Sequence, residues 1–347
     1  MFEVFATTPE TLGLGEIAAH AQRVEALGFD GLLVPDAVHD GLLLACQALG
    51  ATRRIRVATS VLVAFPRSPM NVALAAWDLQ RLSGGRFELG LGTQIRQNIE
   101  ERYSARWLPP AAGMREYLGA LRAIFGAFRN GGAPDFVGEH YRFTRLQPFF
   151  NPGPLDLPGA PDVTTVPLML GAVGPKMLEL VGELADGMHA HPTNSSPRYL
   201  REAILPRVAA GARRRAGALE RPRICATGLV ATGGDGAQVA RERERYRQLL
   251  AFLFSTPAYW PSLELFGWRE VGERLQQMTR ERRWGEMATA LPEALVDEFL
   301  VCGEYQTAAA ALAARYAGLV DRLTFPVAED VRADAALAAA VAHLRGA

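Results

Sequence analysis

The 347-residue chain predicts an α/β protein built as one (β/α)₈ TIM barrel over residues 1–347, with insertions at about 131–165 and 232–300. Three observations lead there. Short apolar runs alternate with longer helical patterns from end to end, the order that makes a parallel sheet with helical crossovers. Eight such runs can be counted, and eight strands close a barrel. The clearest run, residues 55–63, is apolar almost without a break, as a strand covered on both faces must be.

Val4-Phe5-Ala6 is the first strand, and residues 11–27 the first helix, with Leu14, Ile17, Ala18, Ala21 and Val24 along one face. Gly28-Phe29-Asp30-Gly31 supplies turn chemistry before strand two at 32–34. A short helix at 42–49 leads into strand three. Pro69 suits the first turn of a helix running to about Leu82, Ser83-Gly84-Gly85 ends it, and strand four follows at 86–91. The next helix is the most periodic: Met114, Tyr117, Leu118, Leu121, Ile124, Phe125 and Phe128 keep helical spacing over four turns. A small hairpin is expected at 136–143. Strands five, six and seven read at 167–170, 187–190 and 223–230. A helical excursion covers 235–298, and strand eight falls at 321–326 after a helix at 307–316.

Composition narrows the function. Lys and Arg together number 37, as do Asp and Glu, so there is no basic field for nucleic acid or a membrane surface. No apolar run approaches the length that spans a bilayer, and MFEVFATTPE does not read as a secretion signal. Cys46, Cys225 and Cys302 are far apart and form no CxxC pair, which favours small buried thiols in a reducing cytoplasm over disulfides or zinc. A dinucleotide fingerprint competes for the fold. Gly13-Leu14-Gly15-Glu16-Ile17-Ala18 matches G-x-G-x-x-A, and Asp36 lies 21 residues beyond Gly15. However, Gly13 comes seven residues after the strand ends at Ala6, too far for a pyrophosphate to meet the helix N-terminus.

In a parallel barrel the chemistry gathers at the C-terminal ends of the strands. Strand two runs into Pro35-Asp36-Ala37-Val38-His39-Asp40, where a histidine beside carboxylates can pass a proton near neutral pH, or where a polar loop simply caps a helix. Strand four ends in Gly92-Thr93-Gln94. The glycine would let backbone approach a planar ligand, with Thr93 and Gln94 facing its carbonyls; a plain turn reads equally well. Strand five leads into Gly171, Ala172, Val173, Gly174, Pro175 and Lys176, small residues opening a helix, the ingredients of a phosphate site. His189 and His191 follow strand six without the partners of a metal motif, so His191 is expected to contact a ligand, and no metal is expected.

These segments resemble the luciferase-like monooxygenase superfamily, and within it the deazaflavin-dependent oxidoreductases. The similarity covers most of the chain, from Val4 to about Pro326. It is carried by EALGFDGLLVPDAVHD (25–40), RIRVATSVLVAFPRSPMNVA (54–73), DLQRLSGGRFELGLGTQ (78–94), MREYLGALRAIF (114–125), LMLGAVGPKMLELVGELADGMHAH (168–191) and FSTPAYWPSLELFGW (254–268). The resemblance implies coenzyme F420 as cofactor and hydride exchange with a small organic substrate. It implies Asp36 and His39 beside the reactive carbon of the ring, and a non-proline cis peptide at Ser60-Val61 that buttresses it. It also places the cofactor phosphate at 171–176, and gives 257–268 a part in the substrate mouth and often in a dimer contact. Many relatives carry histidine directly after the strand-two aspartate; here Ala37 and Val38 intervene, which opens the identity of the proton donor. The alternatives are an FMN-dependent monooxygenase supplied with reduced flavin by a separate enzyme, and a non-catalytic flavin-binding barrel. A homodimer is expected.

Overall fold

The computed structural model describes residues 1–215 and 221–347. Eight strands close the barrel: β1 (Glu3–Thr7), β2 (Gly31–Val34), β3 (Arg56–Thr59), β4 (Phe87–Gly92), β5 (Leu168–Gly171), β6 (Gly187–Ala190), β7 (Arg223–Ala226) and β8 (Arg322–Thr324), and the short segment Leu62–Val63 adds to the same sheet beside β4. Each pairs in parallel with the next, and β8 pairs with β1, so the sheet closes on itself. This is the predicted TIM barrel, and all eight predicted strands contribute to it.

Strand alternation sorts the side chains. Val4, Leu32, Val57, Leu89, Leu170 and Leu323 face outward into the main apolar core under the helices. Phe5, Leu33, Ala58 and Cys225 form a separate cluster inside the barrel. The Phe5 ring fills the space left by Gly31, where a Cβ would stand 2.2 Å from it. Below, Arg322 and Glu88 meet in a two-pronged contact at 2.7 and 3.0 Å, Glu3 accepts from Arg322 at 2.9 Å, and Arg322 lies over Phe5 at 3.8 Å. Burial alone would raise the Glu88 carboxyl, but Arg322, Arg56 and Arg223 overcome it and hold the group at about 2. The N-terminal end of the barrel is thus plugged by charge, leaving the C-terminal end as the mouth.

The helix Pro69–Ser83 begins with the Ser68 hydroxyl accepting from the Met70 N–H and stops at Gly84, whose φ of +64° suits glycine. The periodic helix Pro110–Asn130 buries all seven residues named from its spacing, and Phe125 stacks on Trp77 at 5.4 Å. The hairpin pairs Phe136 with Phe143, and the Glu116 carboxylate pins it by accepting from the N–H groups of Glu139, His140 and Tyr141.

Four expectations need correction. The first helix starts at Ile17, not at residue 11, because Gly13 and Gly15 favour turns; Leu14, expected on the buried face, is 44% exposed. Strand seven does not run to 230. It leaves the barrel after Ala226, and Leu229–Gly233 pairs in parallel with Leu300–Glu304, a strand placed just beyond the expected all-helical excursion. Gly228 permits this departure, since a Cβ there would come within 3.0 Å of the Tyr316 hydroxyl. The excursion packs around its own apolar core, which includes Trp260, Leu263, Phe254 and Phe299. Finally, only Cys225 is a buried thiol; Cys46 is exposed and Cys302 half-buried. No helix among the described residues is long and apolar enough to cross a membrane.

Candidate active site

The turn after β2 is built around Asp36, whose side chain is 4% exposed. Its Oδ1 accepts from the Gly41 N–H at 3.1 Å and from Arg67 at 3.1 Å. Its Oδ2 accepts from the Val63 N–H at 2.9 Å and from Arg67 at 2.8 Å. Both oxygens of Asp36, expected beside the reactive carbon of a ring, are thus engaged twice by the protein, and Asp36 anchors the turn. Asp40 caps the helix Gly41–Ala51 by accepting from Leu42 and Leu43 and also meets Arg67 at 3.0 Å. Burial opposes its ionisation, but Arg67 and these N–H groups keep its carboxyl below the usual range. His39, between the two acids, is half-buried and makes no hydrogen bond among the described residues. Its Nε2 lies against Gly13 of the loop after β1, 3.6 Å from where a Cβ would sit.

At the end of β3 the Thr59 hydroxyl donates to the Gly90 carbonyl at 2.8 Å and accepts from the Gly90 N–H at 2.9 Å. The Ser60-Val61 peptide that follows is cis, as the resemblance implies. Ser60 and Val61 are both half-buried. The isopropyl group of Val61 lies over two inward-facing glycines: a Cβ on Gly92 would stand 2.5 Å from it and one on Gly171 3.1 Å. Gly92 was expected to bring backbone against a ligand. Its open space admits Val61. Thr93 is half-buried beside it. Gln94 is exposed at a φ of +59°, with its side-chain carbonyl turned back to the Ile95 N–H at 3.0 Å.

Beyond β5, Gly171 faces Val61, Ala172 is buried, and Val173 and Gly174 are half-buried. The helix Pro175–Leu184 starts with no side-chain cap, and nothing lies within 4 Å of a Cβ built on Gly174. Its first N–H groups have no partner within the helix, and Pro175 has none to offer. Lys176 is exposed.

His189 of β6 points into the barrel, and His191 follows directly after the strand. His189 is fully buried, and neither ring nitrogen has a partner among the described residues. Burial, reinforced by the charge of Arg322, brings its pKa down to about 4. His191 pairs through Nδ1 with the Thr193 hydroxyl at 2.8 Å, and its ring stacks on Tyr259 of the excursion at 4.2 Å and 7°. Burial pushes it down to about 4 as well. Asn194, 1% exposed, also has an unpartnered amide nitrogen. At neutral pH this wall of the barrel therefore offers uncharged donors and acceptors.

A planar cofactor carrying a phosphate has a counterpart here for each part. Val61 offers an apolar platform at the mouth, His189 has buried nitrogens unpaired among the described residues for a polar ring edge, and residues 173–177, Pro175 excepted, present N–H groups for an anion. Sequence reasoning missed Arg67. The signal was present, since Arg67 is a lone charge directly after the apolar stretch Val63-Ala64-Phe65-Pro66; it meets an aspartate in the turn after β2. The depth of His189 and the stacking of Tyr259 on His191 were also missed.

Residues 1–322 match the family model for the luciferase-like monooxygenases. The chain belongs to that family. Among its relatives, an uncharacterized protein of Mycobacterium tuberculosis is 39% identical over 311 residues, which cover 89% of both chains. Another protein of that organism, provisionally named a coenzyme F420-dependent oxidoreductase, is 30% identical over 305 residues, or 82% of this chain and 84% of that one. Among solved structures, the coenzyme F420-dependent tetrahydromethanopterin reductase of Methanopyrus kandleri superposes with a TM-score of 0.77, covering 99% of both chains at 17% identity, and so shares the fold. Membership in the luciferase-like family supports an oxidoreductase.

Proposed function

We propose that this luciferase-like protein is an F420-dependent oxidoreductase acting on a small organic substrate. The observation that carries the reading is the Val61 platform over Gly92 and Gly171, walled by the neutral His189 and His191. A flat, uncharged ring suits such a surface, and the named F420-dependent relative supports that choice of ring. The deazaflavin, when bound, supplies hydride exchange at one ring carbon.

The residues of the chain supply the rest. Val61 backs the ring, and a neutral His189 satisfies one of its polar edges. The N–H groups at 173–177 and the charge of Lys176 hold the phosphate. Tyr259 and His191 close the side toward the excursion and keep water from the reacting carbon. His39 donates or accepts, at one ring nitrogen, the proton that balances the hydride.

Titrating the purified protein with F420 and with FMN, following fluorescence, tests this. Saturable F420 binding that FMN does not compete away is expected. FMN binding without F420 binding overturns the proposal in favour of a flavin-dependent monooxygenase, and binding of neither favours a non-catalytic barrel.

A further inference from the structure

The turn that carries His39 is held from outside by two arginines: Arg102 donates to the Ala37 carbonyl at 2.6 Å, and Arg67 alone holds its carboxylates. His39 has no hydrogen bond of its own among the described residues, so its place is set by the chain on either side. Asp36 stands three residues before it and Asp40 directly after. Both carboxylates end on the same guanidinium: Arg67 gives Nη1 to Asp36 at 2.8 Å, and Nη2 to Asp36 at 3.1 Å and to Asp40 at 3.0 Å. Arg67 is itself fixed. Its Nη1 also donates to the Val63 carbonyl at 3.0 Å, and the buried Tyr117 hydroxyl donates to the Arg67 carbonyl at 3.1 Å. Asp36 adds a second link by accepting from the Val63 N–H, two residues beyond Val61. The turn bearing the histidine and the strand bearing the platform are thus joined through one planar fork. A lysine, with one nitrogen on a flexible stem, cannot span two carboxylates in this way.

We propose that Arg67 is a positioning residue. Through Asp36 and Asp40 it fixes His39 relative to Val61, and so sets the distance over which a proton passes. This deepens the F420 reading, and it rests on that reading for its catalytic arm only. A clamp serving the fold alone would change the unfolding temperature and leave both the His39 ring and the balance of kcat against KM unmoved.

The test uses full-length protein labelled with ¹³C at the histidine Cε1 positions, the His39 signal being assigned by its loss in His39→Gln. In Arg67→Met the His39 signal is expected to move toward that of free histidine and to lose order, while the signals of His189 and His191 stay in place. With F420, kcat is expected to fall about 10- to 100-fold, the scale of a misplaced reacting group. Over the same change the Kd for F420 and the substrate KM should move by less than about 3-fold, an allowance made because Arg67 touches neither in this scheme. Arg67→Lys should recover part of the lost kcat and none of the second carboxylate contact. An unmoved His39 signal in folded Arg67→Met, or a loss confined to KM, overturns the proposal. If Arg67→Met does not fold, Asp40→Asn keeps the pair with Asp36 and carries the same comparison; an unmoved His39 there also overturns it. A wild-type protein that binds no F420 defeats the cofactor reading alone, since the magnetic resonance arm still decides the role of Arg67.

Discussion

The side chain of Val61 sits so close over Gly92 that a methyl group added to the glycine would stand 2.5 Å from Val61 Cγ2. Because a valine γ-carbon on a short, branched side chain has little room to give, Gly92→Ala should push the platform upward. Overpacking of this kind costs roughly 1–3 kcal/mol, to be read from urea unfolding. The same variant should lose cofactor affinity by more than its stability loss predicts. Unchanged affinity would mean that the ring does not rest on Val61.

His39→Ala should lower turnover by about 10²- to 10⁴-fold, as expected for a lost acid or base, while cofactor affinity stays nearly intact. Steady-state rates beside fluorescence titrations separate the two effects. Unchanged turnover would remove His39 from the mechanism and leave the neutral histidines of β6 to be tested.

His189→Leu should act in opposite directions on two measurements. Neither ring nitrogen of His189 has a partner among the described residues, so replacing the ring with an apolar group of similar size should hold or raise the stability of the free protein. Affinity for the cofactor should fall by about 10-fold, the worth of one hydrogen bond. A drop in stability with no change in binding would show that His189 serves the barrel wall alone.

Acid should destabilise the protein in two steps. His189 and His191 are held near 4 against an ordinary value of 6.5, so the unfolded chain takes up their protons first. Stability should therefore fall as pH drops from about 6.5 toward 4. Glu88, at about 2 against 4.5, is stabilising above its unfolded value, and that contribution is lost between about 4.5 and 2. Urea midpoints measured across pH should show both windows. His189→Leu should flatten the upper one and Glu88→Gln the lower, the latter with a loss of about 3–5 kcal/mol at neutral pH from the broken buried pair. A midpoint that stays constant from pH 7 to 4 would contradict the buried, neutral histidines.

Much of this was legible in the residues. Apolar runs such as 55–63 mark strands covered on both sides, and Ser68-Pro69 and Gly84 mark the ends of a helix through capping chemistry that acts within a few residues. What could not be read locally depends on partners distant in sequence. Asp36 looks like a free acid until Arg67, 31 positions on, takes both its oxygens. Gly92 looks like an opening for a ligand until Val61 enters it. Strand seven looks continuous because residues 223–230 stay mostly apolar, and only Tyr316 reveals why the chain turns at Gly228. The strand at Leu300–Glu304 was hidden because its pairing exists only with the departing segment.

That departure has a wider bearing. The chain goes out through Leu229–Gly233 and comes back through Leu300–Glu304, hydrogen-bonded side by side, so the long excursion begins and ends at nearly one spot on the barrel. With its own apolar core it behaves like a cassette plugged into a socket of two adjacent strands. None of the eight barrel strands lies within it, so a change of its length or content leaves their order along the chain untouched. Tyr259 is the contact through which such a change would be felt at His191, which makes the socket a natural place to graft new preferences onto an unchanged chassis.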